Sequence, residues 1–258
     1  MKKWSAGLLL AVFLPTGVQA QQDGRALVAT FTAEVDRRLE VPAAEQAYYG
    51  GLAAKLLEDR NMPDAQYVVL VDRSKLVQAL LIFWMSPERV FHFIGASPVS
   101  TGKPGRVDYF TTPLGVFPHL VSNMDFRAEG TRNEHGIRGY GRKGLRVFDF
   151  GWQNAHRGWG KGGESAIRLQ MHATDADFLE KRIGSAQSKG CIRIPASLNV
   201  FLDQHGVLDG DYDAALKEGR GLWVLSKTRQ PTPWAGRFLL IVDSERTTRP
   251  DWAPAPKP

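Results

Sequence analysis

The chain of 258 residues has a single cysteine, Cys191, so no disulfide can form within it. Its six histidines lack metal-ligand spacing and no His-Glu-x-x-His occurs, so no metal site and no cofactor is implied. Beyond the N-terminus no apolar run reaches transmembrane length, and no cysteine near the start offers a lipid attachment point; no membrane anchor is expected. Zinc-finger spacing and RNA-binding signatures are absent. Lys and Arg are scattered rather than blocked, which sets nucleic acid aside as a partner.

What is present begins with an export signal. Lys2 and Lys3 precede a nearly apolar Leu8–Leu14, and Val18-Gln19-Ala20 has the small-x-small form of a signal-peptidase site. Residues 1–20 are read as a signal peptide cleaved after Ala20, which sends the chain to the periplasm or cell-wall space. The formal charge of +6 suits an anionic membrane face or an acidic polymer such as a cell wall. Export gives the lone thiol meaning. An unpaired cysteine in an oxidising compartment is either reactive or a buried small hydrophobe, and the count alone leaves both open.

Leu27, Phe31, Val35 and Leu39 recur every fourth position, and Leu52, Leu56 and Leu57 follow Pro42; residues 21–65 read as a small helical segment that packs on the main domain. From Tyr67 the period changes. Tyr67–Val71 and Leu76–Trp84 form a predicted hairpin, Val90–Ile94 a third strand, Leu145–Phe150 and Ile167–His172 further ones, and Leu222–Leu225 and Phe238–Val242 the last. Short strands separated by glycine and proline predict a mainly β domain, a sandwich or barrel with a few short helices, over residues 66–227. A helix is expected from Thr174 to Ile183, stopped by Gly184, and another from Pro195 to His205. Residues 228–258 read as an extension with a proline-rich tail. The glycine-rich stretch 122–166 reads as a loop over substrate. Its Arg132, Arg138, Arg142, Arg146, Arg157 and Lys161 would suit carboxylates, or simply be solvated surface charge.

Ser188-Lys189-Gly190-Cys191-Ile192-Arg193 holds the thiol, and His172 ends an alternating strand nineteen positions before it. A thiol attacks as thiolate, and an imidazole within hydrogen-bond reach can form one. His172, a gap of fifteen residues, then Ser188-x-Gly190-Cys191-x-Arg193 resembles the signature of the L,D-transpeptidase (YkuD-type) catalytic domain. Val99-Ser-Thr-Gly102 and Thr112-Pro-Leu-Gly-Val-Phe117 resemble two further stretches of that family, in the expected order. The likeness spans roughly residues 66–227. Two departures occur: Ala173 stands where many members have Gly after the histidine, and Lys189 where they have His before Gly-Cys. Arg193, where Asn is frequent, is common in the wider family.

The resemblance implies a YkuD-like fold and a cysteine-dependent acyl transfer on peptidoglycan stem peptides. Cys191 would be the nucleophile and His172 the base. A carbonyl near Ala173 would orient the imidazole, and backbone N–H groups at Gly190 and Cys191 would hold the oxyanion, with Ser188 shaping the turn. Arg193 would position a substrate carboxylate or brace the loop, with Lys189 beside it at the substrate; His135 is a substrate candidate by its place beside Gly136 in the basic loop, not by the resemblance. Donor and acceptor stems, or a wall-attached protein as acceptor, are the implied partners, and carbapenem-type inhibitors should acylate Cys191. With water as acceptor the same site would be an L,D-carboxypeptidase or endopeptidase. A wall-binding module without catalysis would need neither His172 nor Cys191. His92, His119, His156 and His205 are read as structural.

Overall fold

The computed structural model describes residues 16–60, 62 and 65–255. Most of the expected signal peptide therefore lies outside the described residues. Helix α1 (Thr16–Glu34) is followed by α2 (Ala43–Leu57), which starts directly after Pro42. Leu27 and Phe31 of α1 are buried on one stripe, and Val35 just after it is buried too; the fourth expected position, Leu39, lies beyond the helix end and is partly buried. The Phe31 ring meets Phe201 edge-on at 5.3 Å. Burying one such ring stabilises the fold by roughly 1.5–3 kcal/mol.

Among the described residues nine strands make two mixed sheets, so the protein is mainly β. The first contains β1 (Gln66–Asp72), β2 (Ala79–Met85), β3 (Phe91–Pro98), β4 (Gly115–Pro118) and β9 (Phe238–Val242), in the order β3-β2-β1-β9-β4. The β1–β2 hairpin is antiparallel, and every residue of both strands is buried. Both faces of this sheet are covered. Val68, Leu70, Leu81 and Phe83 pack with Tyr49, Ala53 and Leu57 of α2, while Val69, Val71, Leu80 and Ile82 face the main core. Strand β9 runs parallel to β1 and antiparallel to β4, so residues 228–258 supply the strand that joins the two.

The second sheet has the order β5-β6-β7-β8, from β5 (Phe126–Arg127), β6 (Arg146–His156), β7 (Glu164–Ala173) and β8 (Ile192–Ile194). Its inner side sends Phe148, Phe150, Leu169, Met171, Ile192 and Ile194 into the main core. Helix α3 (Ala196–Gln204) closes that core with Leu198, Phe201 and Leu202, and α4 (Gly210–Lys217) lies beside it in sequence.

Three expectations are corrected. No helix spans 174–183: the Asp175 carboxylate accepts the Asp177 and Phe178 N–H groups, and only a 3-10 turn, Glu180–Arg182, follows. An Asx turn competes with helix here. No strand forms at Leu222–Leu225; Leu222 and Val224 are buried in a small cluster with Val121 and Tyr212 instead. Stretch 122–166 is a loop only in part: 128–145 contains no strand, but β6 runs on to His156, past the expected end at Phe150, and pairs with β7 from Glu164. Among the described residues no helix is long and apolar enough to cross a membrane.

Candidate active site

Alternation along β7 and β8 sorts the chemistry onto one face. Strands β7 and β8 are parallel, with Met171 opposite Ile192 and His172 opposite Arg193. Met171 and Ile192 point into the core, so Gln170, His172 and Arg193 point out on the other side, and Cys191, one residue before β8, falls level with Gln170. Asp149 of β6, opposite Gln170, shares that face. His172 and Cys191 are thus diagonal neighbours on adjacent strands.

Each reactive group is aimed by its own backbone. The His172 Nδ1 atom is 2.6 Å from the Ala173 carbonyl oxygen; a carbonyl only accepts, so Nδ1 carries the proton and Nε2 presents its lone pair. The thiol donates to the Arg168 carbonyl at 3.8 Å, which turns it back along β7. Over this pair folds Tyr140, from the loop before β6. Its ring stands edge-on to His172 at 4.7 Å, and its hydroxyl donates to Gln170 Oε1 at 3.1 Å. Asp149 accepts from Gln170 Nε2 and from Arg168 Nε, both at 2.9 Å. Arg168 in turn lies over the exposed Trp152. Tyr140, Asp149 and Gln170 are site residues that motif reading missed. Gln170 could have been found, because it is two residues from His172 in the alternation.

The turn that carries Cys191 is latched from three directions. Gly190 has φ of +131°, and a Cβ there would come within 2.9 Å of Ile167 Cδ1. The Gly190 carbonyl accepts from Thr112 Oγ1 at 2.8 Å, and Thr112 Oγ1 accepts from the Gly102 N–H at 2.8 Å. A Cβ on Gly102 would lie 2.0 Å from the Phe110 carbonyl. The stretches around Gly102 and Thr112, far apart in sequence, therefore meet at the residue before the cysteine. Ser100 exchanges both backbone hydrogen bonds with Arg193, at 2.9 and 2.8 Å. Ser188 shapes the turn: its Oγ accepts the Gly190 N–H at 3.0 Å and donates to the Cys191 carbonyl. That commitment removes the Gly190 N–H from the expected oxyanion pair. Among the described residues the Cys191 N–H makes no hydrogen bond, and it is left as the donor beside the thiol.

Burial sets the protonation states. It holds His172 down to about 4, with the Arg193 charge adding to the effect and the Ala173 carbonyl opposing it. Burial pushes the Cys191 thiol up, against the Gln170 N–H and the Arg193 charge, which favour thiolate. At neutral pH the pair is a thiol and a free imidazole, not a standing ion pair.

The remaining expected residues divide. Lys189 is exposed, its Nζ 5.6 Å above the Tyr109 ring. His135 is exposed and faces Glu134 at 3.6 Å. Of the basic residues expected to meet carboxylates, Arg146 is wholly buried instead, against Asp125 at 2.6 Å and Asp209 at 2.7 Å, and Arg138 is paired with Asp177 at 3.0 Å. Sequence reading could not see those partners, because they lie at the far side of loops. His119 is buried between Asp125 and the Leu208 carbonyl. Among the described residues no three His, Cys, Asp or Glu side chains are grouped to hold a metal.

Fold and site together define a mainly β protein that sets one cysteine and one histidine on the outer face of a sheet. No protein-family model and no curated protein matches the chain. Among solved structures it is similar to a point mutant of the helical cell shape determining protein Pgp2 from Campylobacter jejuni, with 14% identity and a TM-score of 0.34, over 90% of this chain and 58% of that one. The unsubstituted Pgp2 structure gives 14% identity and a TM-score of 0.32, over 76% of this chain and 56% of that one. The chain thus spans little more than half the length of those structures.

Proposed function

We propose that this protein is an exported L,D-transpeptidase with a YkuD-type fold, acting on peptidoglycan stem peptides through a thioester on Cys191. The observation that carries the reading is the tautomer and placement of His172. Its Nδ1–H is tied to the Ala173 carbonyl, so Nε2 is a free base on the face that holds the thiol. The convergence of the Gly102 and Thr112 stretches on Gly190 supports it, since those are the stretches that carry the family resemblance.

In the proposed reaction Cys191 Sγ attacks the carbonyl that precedes the terminal D-residue, and its proton passes to His172 Nε2. The Cys191 N–H faces the developing oxyanion. Collapse breaks the C–N bond as His172 returns the proton to the leaving amine, and a thioester remains. An amine of a second stem then attacks, His172 takes its proton, and the thiol is released with a cross-link formed. Water in place of that amine gives the carboxypeptidase reading, while a wall-binding module leaves the free base and the thiol without a role.

The test is mass spectrometry of products from disaccharide-tetrapeptide, with wild type beside Cys191→Ala. Cross-linked dimer with loss of one D-alanine, absent from the variant, is expected. Tripeptide and free D-alanine without dimer make the protein a hydrolase. Absence of any thiol-dependent product overturns the assignment.

A further inference from the structure

Among the described residues seven of the protein's 21 arginines are neutralised. Arg73, Arg127, Arg138, Arg146, Arg168, Arg229 and Arg246 each reach a carboxylate. One group is not. A pocket of about 730 Å³ is lined by Lys103, Arg106, Arg182 and Arg193 together with Tyr109 and Gln187, and no acidic residue lines it. Among the described residues none of these four cations forms an ion pair. Arg193 is half-buried, and burial lowers its pKa, the mark of a charge partly stripped of water without a partner in return. Its charge also reaches Cys191 and His172. Cys191 and His172 do not line the pocket; Arg193 links it to them, since it lines the pocket and shares their face of the sheet.

We propose that this pocket is a carboxylate subsite that receives the C-terminal carboxylate of the donor peptide, the end released as the leaving group. The inference rests on the peptidoglycan reading for the identity of the peptide, but not for the charge it takes. A cluster of cations without counter-ions favours an anion, because no internal pair has to break when it binds. The arrangement assigns a direction to the substrate. Its C-terminal end lies toward Arg106 and Arg182, and the acceptor enters from the opposite side, along Arg168 and Trp152. Arg193 links the two events: a carboxylate seated in the pocket lies next to the residue that favours the Cys191 thiolate.

The test compares tetrapeptide free acid with the same peptide as C-terminal amide, using wild type and Arg106→Gln/Arg182→Gln. Both side chains are exposed, so the double variant keeps the core intact. Wild type is expected to prefer the acid in kcat/KM by about tenfold or more, through KM, and the double variant to lose most of that preference. A preference for the acid that survives in the double variant, or no preference in wild type, overturns the subsite. If neither peptide turns over in wild type, the proposed function has failed, and Cys191 alkylation decides the pocket alone. The ratio of the iodoacetate rate to the iodoacetamide rate, in which any general change in thiol reactivity cancels, should fall at least threefold in the double variant at low salt. An unchanged ratio then overturns the pocket.

Discussion

At the residue scale the site turns on two groups that burial keeps neutral. A preformed thiolate–imidazolium pair would react at a rate insensitive to pH near neutrality. Here the iodoacetamide rate of Cys191 should still be rising above the ordinary thiol range, because burial pushes the thiol up. Arg193→Gln removes the cation that favours thiolate and should move the midpoint further upward. A midpoint that falls, or stays, in that variant contradicts the role given to Arg193. His172 must be neutral to accept the proton. Since its value is held down to about 4, the acid limb of kcat/KM should lie near pH 4 rather than 6.5. His172→Gln is expected to lower turnover by roughly 10²–10⁴-fold, measured with the tetrapeptide.

At the scale of elements the decisive feature is the joint between the two sheets' loops at Gly190. Thr112 Oγ1 both accepts from the Gly102 N–H and donates to the Gly190 carbonyl, and the residue is fully buried. Thr112→Val keeps the shape but leaves both backbone groups unpaired. Urea unfolding should show a loss of about 1–3 kcal/mol, with Thr112→Ser close to wild type. Turnover should fall in Thr112→Val beyond what stability explains, because the turn that holds Cys191 loosens. Equal turnover in the folded variant would mean that β8 alone positions the thiol. The covering element is a second case. Tyr140 reaches the site only because its loop is pinned where the Arg138 N–H donates to Asp175 Oδ2 at 2.8 Å.

At the scale of the molecule, a buried charge network ties the second sheet to the helices. Arg146 lies against Asp125 and Asp209, and all three are wholly buried; Arg229 reaches Asp209 at 2.9 Å, and His119 lies 2.9 Å from Asp125. Such networks are costly to break because the partner is left charged and dry. Arg146→Met should destabilise the fold by about 3–5 kcal/mol in urea unfolding. A change below 1 kcal/mol would show that the carboxylates take up protons or water without cost.

The sequence by itself determined which residues of a strand share a face. Alternation in Ile167–His172 separates core side chains from His172, and that separation survives in β7; that Cys191 and Arg193 share its face came only with β8. The sequence also showed the mainly β character and the buried stripe of α1, since period and apolarity are local properties. Tertiary structure alone decided the rest. The helix read at 174–183 gave way to a turn because the Asp175 carboxylate binds nearby amides more readily than the chain propagates a helix. Which arginines are spent on structure and which stay open was also invisible: Arg146 and Arg193 look alike in sequence, yet one is enclosed by carboxylates and the other is not. Charge partners come from residues far apart along the chain, and only the folded arrangement of strands and loops determines which charges are brought together.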